Sequence, residues 1–298
     1  MIKKKNYKDL PPAANITVNV LLVLYSLLCI FPLLVVLIIS FTDESAIATN
    51  GYQLIPAKTS MVAFEYLSGN LHQILRGYGV TLFSTAVGTL LSILITAAFA
   101  FPISRQSFKY RNRFAFYVYF TMLFNGGTVP YYIIYTQVIP LKNTIWSLII
   151  PNMVGGFNIL LMRTYFKQNI PDEIVEAAQI DGAGDIRVFS TIVMPLAKPV
   201  LATIGLLSAI GYWNDYFRNM LFIFDDSIMN LQYLLYRIQV QLNVINTNPE
   251  IAMRLGGAIP QETVRMAMVL VTIGPIIFLY PFLQKYFVKG LTIGAVKG

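Results

Sequence analysis

Chemistry needs groups that ionise, coordinate or attack, and this sequence offers few of them. His72 is its single histidine and Cys29 its single cysteine, so neither a multi-histidine metal site nor a disulfide framework can be built within the chain. It has no G-x-x-x-x-G-K-[ST] run to cradle nucleotide phosphates. One ordered constellation remains. From Ile170 the chain reads IPDEIVEAAQIDGAGDIRVFSTIVMPLAKP; within it lie Glu176-Ala177-Ala178, Asp181-Gly182-Ala183, Phe189 and Pro195. Its residues suit contact rather than catalysis: Ala177 and Ala178 remove bulk so that a groove can approach, and Glu176 supplies a charge.

Such a surface works only if it is held stiffly. Pro171 suits a first helical position, Asp172 and Glu173 favour the positive end of a helix dipole, and Asp181-Gly182 offers a stop, which predicts a short helix over 171–180. Ile170, Ile174, Ala177 and Ala178 fall on one side of it. After the turn, Ile186, Phe189 and Val193 repeat at spacings of three and four, predicting a second amphipathic helix. Two helices joined by a glycine turn can transmit force where a floppy loop cannot.

The rest of the chain says what that force would act on. Of 298 residues, 56% are hydrophobic and 12% charged, with a mean hydropathy of +0.62; soluble domains average about 25% charged residues. Uncharged windows run from Leu10 to Thr42, Gly77 to Ser104, Phe114 to Leu141, Asn143 to Met162, Pro199 to Asn214 and Met266 to Gln284, and a helix needs about 20 apolar residues to span a bilayer. An all-α membrane protein with six transmembrane helices in a single domain is expected. Its core would cover about 71–285, the loop 167–198, and a cytoplasmic tail 286–298.

Putting the N-terminus inside assigns Lys3, Lys4, Lys5, Lys8, the Arg105–Arg113 cluster, Arg163, Lys167, Arg187, Lys198, Lys285, Lys289 and Lys297 to the cytoplasm. Outside are Lys58, Arg76, Lys142, Arg218, Arg237, Arg254 and Arg265, roughly half as many, as the positive-inside rule asks. Both termini are then cytoplasmic. Membrane lipid and topology account for the net charge of +8; the basic residues form no face or motif suited to nucleic acid.

No ionisable side chain occupies the centre of a span, whereas ion-coupled carriers keep such groups within the membrane. Asp215 and Arg218, spaced i, i+3, come nearest and read as a structural clasp or an outer gate contact, and Tyr212-Trp213-Asn214-Asp215 is a candidate wall of a solute pathway. Glycine pairs 126–127 and 155–156, with Pro130 and Pro151, predict kinks in the third and fourth spans. If the protein pumps, a separate soluble subunit must supply the energy. A stand-alone facilitator or secondary carrier for a neutral solute, and a membrane scaffold, remain as alternatives.

Taken together, Glu176-Ala177-Ala178, Asp181-Gly182-Ala183 and Met194-Pro195-Leu196 with Pro199 resemble the EAA loop of permease subunits of bacterial ATP-binding-cassette importers. The C-terminal run Val288 to Gly298 resembles the tail of the smaller permease of the maltose-type, carbohydrate-uptake branch. The resemblance implies the type I importer permease fold in a bacterial cell membrane, with no cofactor and no catalysis on this chain. It implies as partners a second six-helix-core permease, two ATPase subunits that bind ATP and Mg, and an extracellular solute-binding protein. Residues 171–193 would be the coupling helices seated in the ATPase, with Lys289, Gly290 and Lys297 of the tail as a second contact. Residues 243–260 would form a docking loop for the binding protein, and the cargo would be a sugar, an oligosaccharide by subfamily flavour.

Overall fold

The structure, a computed structural model, describes residues 12–247 and 260–275. It is built from helices, and its residues group into two units: 12–70 with 239–247 and 260–274, and 71–238.

In the first unit, α1 (Pro12–Ser40) fills the first apolar window without interruption. A tight stretch follows, in which Thr42 bridges to Thr59. Next come α2 (Glu44–Asn50) and α3 (Val62–Gly69). The Glu44 carboxylate accepts hydrogen bonds from the backbone N–H groups of Gln261, Glu262 and Thr263 and from the Thr263 hydroxyl. These donors open a helix over 261–275, where the first N–H groups have no partner of their own. Tyr52 donates to Glu262 at 2.7 Å, a bond that, together with burial, raises the phenol above its usual range.

The second unit is organised by α4 (Leu71–Ser104). Ser84, Gly88, Ser92, Thr96, Ala100 and Ser104 recur at every fourth position and are all buried. A stripe of small residues lets neighbouring helices approach closely where no water drives association. After α4 come α5 (Arg111–Leu123), α6 (Thr128–Ile133), α7 (Trp146–Ile149) and α8 (Gly156–Asn169), then a loop that holds α9 (Asp172–Ile180), α10 (Asp185–Val188) and α11 (Met194–Leu196), then α12 (Lys198–Trp213); α5, α7, α8 and α12 pack against α4. Then come α13 (Phe217–Phe222) and α14 (Leu231–Thr247), whose Leu231, Leu234, Leu235 and Ile238 are buried.

Six unbroken spans are not what the described residues contain. Ala14–Ser40 and Leu71–Ser104 are each long and apolar enough to cross a membrane, and Asp185–Leu196 with Lys198–Trp213 make a third only as a pair bent by 81°. The third window is interrupted at Phe124–Gly127, with Gly127 at φ +84°, and the fourth between Asn152 and Gly155. These interruptions fall at the glycine pairs. A window of uncharged residues measures the length of apolar chain, not the continuity of its hydrogen bonds. The sixth window extends past residue 275 and so beyond the described residues.

Candidate functional site

The loop between α8 and α12 forms as the local sequence dictates. Pro171 stands just before α9 rather than in its first turn, and Asp172 and Glu173 occupy that turn. The helix ends in a pair of bonds, Ala183 N–H to Ala178 O at 2.9 Å and Gly182 N–H to Gln179 O at 3.0 Å, around Gly182 at φ +84°. This Schellman ending needs a left-handed residue, and glycine adopts it without strain. Across the turn the Gln179 amide donates to Asp185 at 3.0 Å.

The second helix continues from α10 through a π-helical turn, Phe189–Val193, into α11. It then bends sharply at Ala197. Pro195 and Pro199 account for that bend, because proline lacks the N–H that would continue the ladder and its ring crowds the carbonyl four residues back.

One face of this pair is built into the unit's interior. Val175, Val188, Val193 and Ala197 share a buried cluster with Ala97, Ala100 and Ile103 of α4, Met162 and Phe166 of α8, and Val200 and Ile204 of α12; Ala178, Ala183 and Phe189 pack against it. The opposite face is open: Glu176, Ala177, Asp181, Gly182 and Pro195 are exposed. Two assignments of the apolar face change. Val175 and Val188 are buried, whereas Ile174 is exposed and Ile186 is 85% exposed. The π-helical turn shifts the phase, so the three- and four-residue spacing from Ile186 to Val193 does not mark one face. Ile180, 86% exposed, joins Ile186 beside the glycine turn.

Arg105, the first residue past α4, locks this loop to the spans. Its Nη1 donates to Ile170 O at 2.9 Å and to Asp172 Oδ1 at 2.8 Å, its Nη2 to Phe166 O at 2.8 Å, and its Nε to Ser104 Oγ at 3.0 Å. The guanidinium thus closes the carbonyl end of α8 and pairs with the first residue of α9. Burial pulls its pKa below the usual range and Asp172 pulls it back up. Between the loop and α4 lies a cleft of about 600 Å³ lined by Arg105, Phe108, Glu176, Gln179, Asp185 and Ile186, among others.

A second cavity, of about 410 Å³, lies where the third and fourth windows are interrupted. Asn125, Gly127 and Thr128 line it at one interruption and Pro151, in the short turn Ile150–Asn152, just before the other, with Tyr131, Phe217 and Arg218. Asp215, itself buried, holds Arg218 by a 2.8 Å ion pair and accepts the Arg218 backbone N–H at 3.1 Å. Of the candidate wall, Tyr212 and Trp213 are buried, Tyr212 donating to Ile149 O at 2.9 Å and packing its ring over Gly88, while Asn214 is exposed. None of residues 212–215 lines the cavity. Lys289, Gly290 and Lys297 lie outside the described residues, as do 248–259 of the candidate docking loop.

Comparison with known proteins places this geometry. A family model described as the binding-protein-dependent transport system inner membrane component matches residues 14–293. The chain belongs to that family. Protein LplC of Bacillus subtilis is 36% identical over 270 residues, covering 90% of each chain. The polygalacturonan/rhamnogalacturonan transport system permease protein YtcP of the same organism is 34% identical, over 93% of this chain and 96% of its own. Among solved structures, a bacterial ABC transporter involved in the import of the acidic polysaccharide alginate aligns with a TM-score of 0.77 at 33% identity, over 92% of this chain and 96% of its own.

The permease fold is thereby that of an ABC importer subunit. Arg105 went unread in the sequence. It had a signal, since it is the first charge after a long uncharged helix and Asp172 opens the loop. For the cavity, Arg218 and the glycine pairs were singled out separately, as a clasp or gate contact and as kinks, and their meeting at one space was not read.

Proposed function

We propose that this chain is one of two permeases of a bacterial cytoplasmic-membrane importer that moves an oligosaccharide into the cell, driven by ATP and Mg bound on a separate pair of ATPase subunits. It would cross the membrane six times with both termini cytoplasmic, and an extracellular solute-binding protein would deliver the sugar. Residues 171–193 would be the coupling helices. The observation that supports this most is the burial of Val175, Val188 and Val193 in one cluster with α4, α8 and α12: a push on the exposed face of the loop reaches the spans through packed side chains, which are hard to compress.

Glu176 would make the charged contact, Ala177 the close one, and Ile180 and Ile186 would enter apolar recesses on the ATPase. The tail residues Lys289, Gly290 and Lys297 are proposed as a second contact, 243–260 as the docking loop, and Tyr212 to Asp215 as part of the pathway wall. The sugar assignment draws on what the relatives are named for. Reconstituted with its partners, the importer carrying Glu176→Lys or Gly182→Asp should insert normally and hydrolyse ATP without uptake. Normal ATP-driven uptake by both variants would defeat the coupling assignment, and uptake by this chain alone would defeat the subunit reading.

A further inference from the structure

The two interruptions lie at matching depth. α5 has 13 residues starting at Arg111 and α8 has 14 ending at Asn169. At about 1.5 Å per residue, each interruption is about 20 Å from the helix end that carries the basic residues. That is well inside a hydrocarbon core of about 30 Å. Unwound backbone at such depth survives only where protein covers it or where it borders a water-filled space. Asn125, Gly127 and Thr128 border a cavity of about 410 Å³, and Pro151, in the turn just before the other interruption, borders it too.

Arg218 is the charged member of that lining, and its state differs from that of Arg105. The Arg105 fork is occupied by two main-chain carbonyls, a carboxylate and a hydroxyl. Arg218 has its Nη1 on Asp215 and the Tyr131 hydroxyl beside it, but no carbonyl partner among the described residues. A guanidinium presents five N–H donors in a planar fork that matches a carboxylate edge. Arg218 therefore has donors to spare in a cavity whose lining includes no acidic residue, since Asp215 stands behind it. Tyr131 and Phe217 offer ring faces suited to a sugar, and Asn125 offers an amide suited to hydroxyls.

We propose that this cavity is a subsite on the solute pathway for a carboxylate-bearing sugar residue, with Arg218 pairing to the carboxylate. The inference rests on the sugar-permease reading and deepens it by naming an acidic glycan as cargo. The test uses the whole importer in lipid nanodiscs without its binding protein. The probes are trigalacturonate and triguluronate, each beside its fully methyl-esterified, uncharged counterpart. A charged hydrogen-bonded pair contributes about 1.5–3 kcal/mol, so at least one acid should bind about tenfold or more tighter than its ester.

Arg218→Gln should erase that preference by weakening acid binding about tenfold more than ester binding, and Arg218→Lys should keep part of it. Equal affinity of acid and ester in the wild-type importer would overturn the proposal without any variant. So would an acid preference that survives Arg218→Gln, or failure of both acids to bind. Uptake of a neutral oligosaccharide by the same importer, with its binding protein restored, would then leave the sugar-permease reading standing; absence of any sugar uptake would sink that reading as well.

Discussion

Two of the second unit's arginine–aspartate pairs are buried the opposite way round. In Arg105–Asp172 the arginine side chain is 7% exposed and the aspartate 30%; in Arg218–Asp215 the arginine is 19% exposed and the aspartate 7%. The first guanidinium is enclosed and occupied by carbonyls at the end of a helix. The second is held from behind by a buried carboxylate and borders an open cavity. One chemical pair thus serves as a clamp in the loop between α8 and α12 and as a presented charge at the cavity between the interrupted windows. Which partner is enclosed decides the difference, because an enclosed donor must be satisfied by the protein whereas a donor bordering a cavity can be satisfied by a solute.

The comparison breaks or holds most visibly on truncation. Removing one member of a buried pair typically costs about 3–5 kcal/mol, and Arg105→Ala would also remove the side-chain donor to Phe166 O and Ile170 O. We expect Arg105→Ala to lower the thermal midpoint of the purified importer strongly. Arg218→Ala should lower it much less, although it leaves Asp215 unpaired, because the cavity admits water. Equal losses would mean that both pairs are clamps.

A smaller effect is expected at Gly88. A Cβ there would lie 2.4 Å from the Tyr212 ring, and that ring is fully buried with its hydroxyl bonded. Overpacking of this kind costs about 1–3 kcal/mol. Gly88→Ala should therefore destabilise the packing of α4 against α12 and reduce uptake while leaving the ratio of ATP hydrolysed to solute moved unchanged. A changed ratio would mean that this packing and the loop are not separable.

Much of the loop was legible because its signals are local. Proline and acidic residues at a start and a glycine at a left-handed stop act through their immediate neighbours, and α9 and the Gly182 turn followed from them; the bend at Ala197, between Pro195 and Pro199, had an equally local signal and was not read. What failed there was the face of Ile186, since a π-helical turn is invisible to a pattern count. The cavity at the interrupted windows was legible only in fragments. Gly126, Gly127, Gly155 and Gly156 predicted kinks, but nothing in the spacing says that Asn125, Pro151 and Arg218, almost a hundred residues apart at the extremes, meet at one space. The six windows likewise measured apolar length correctly and helix continuity poorly. Meanwhile the small-residue stripe Ser84 to Ser104 stood in the sequence at strict four-residue spacing and found its use only in the packing of α4.

Next in size comes the glycine turn, which sharpens the loop side of the comparison. Gly182 has open space around its missing Cβ, so its constraint is backbone alone. A left-handed conformation costs an L-residue with a Cβ about 1–2 kcal/mol. Gly182→Ala should lower stability by no more than that and loosen coupling, seen as futile ATP hydrolysis. Gly182→Asn should recover most of the coupling, because asparagine tolerates this conformation. Equal behaviour of the two variants would assign the defect to added bulk at the ATPase contact rather than to the turn.

The smallest effect is expected at a third pair, Asp43–Lys58, in the first unit, where neither enclosure nor a cavity operates. The Asp43 carboxylate accepts from the Ser45 N–H at 3.0 Å and from the Ser45 hydroxyl, and pairs with Lys58 Nζ at 2.9 Å. These contacts, the Ser45 hydroxyl foremost and then Lys58, hold its pKa at about 2, below the ordinary 3.8. A carboxylate depressed in the folded state stabilises fully above its unfolded pKa, and that contribution fades as pH falls through the folded value. Between pH 4 and pH 2, therefore, the segment 51–58, tied down through Lys58, should become progressively open to pepsin, while Asp43→Asn should be open across the whole range. Because Lys58 is largely exposed, salt should weaken the wild-type protection, whereas the enclosed Arg105 pair should be indifferent to it. A salt response at Arg105 equal to that at Asp43 would show that enclosure is not what distinguishes the pairs.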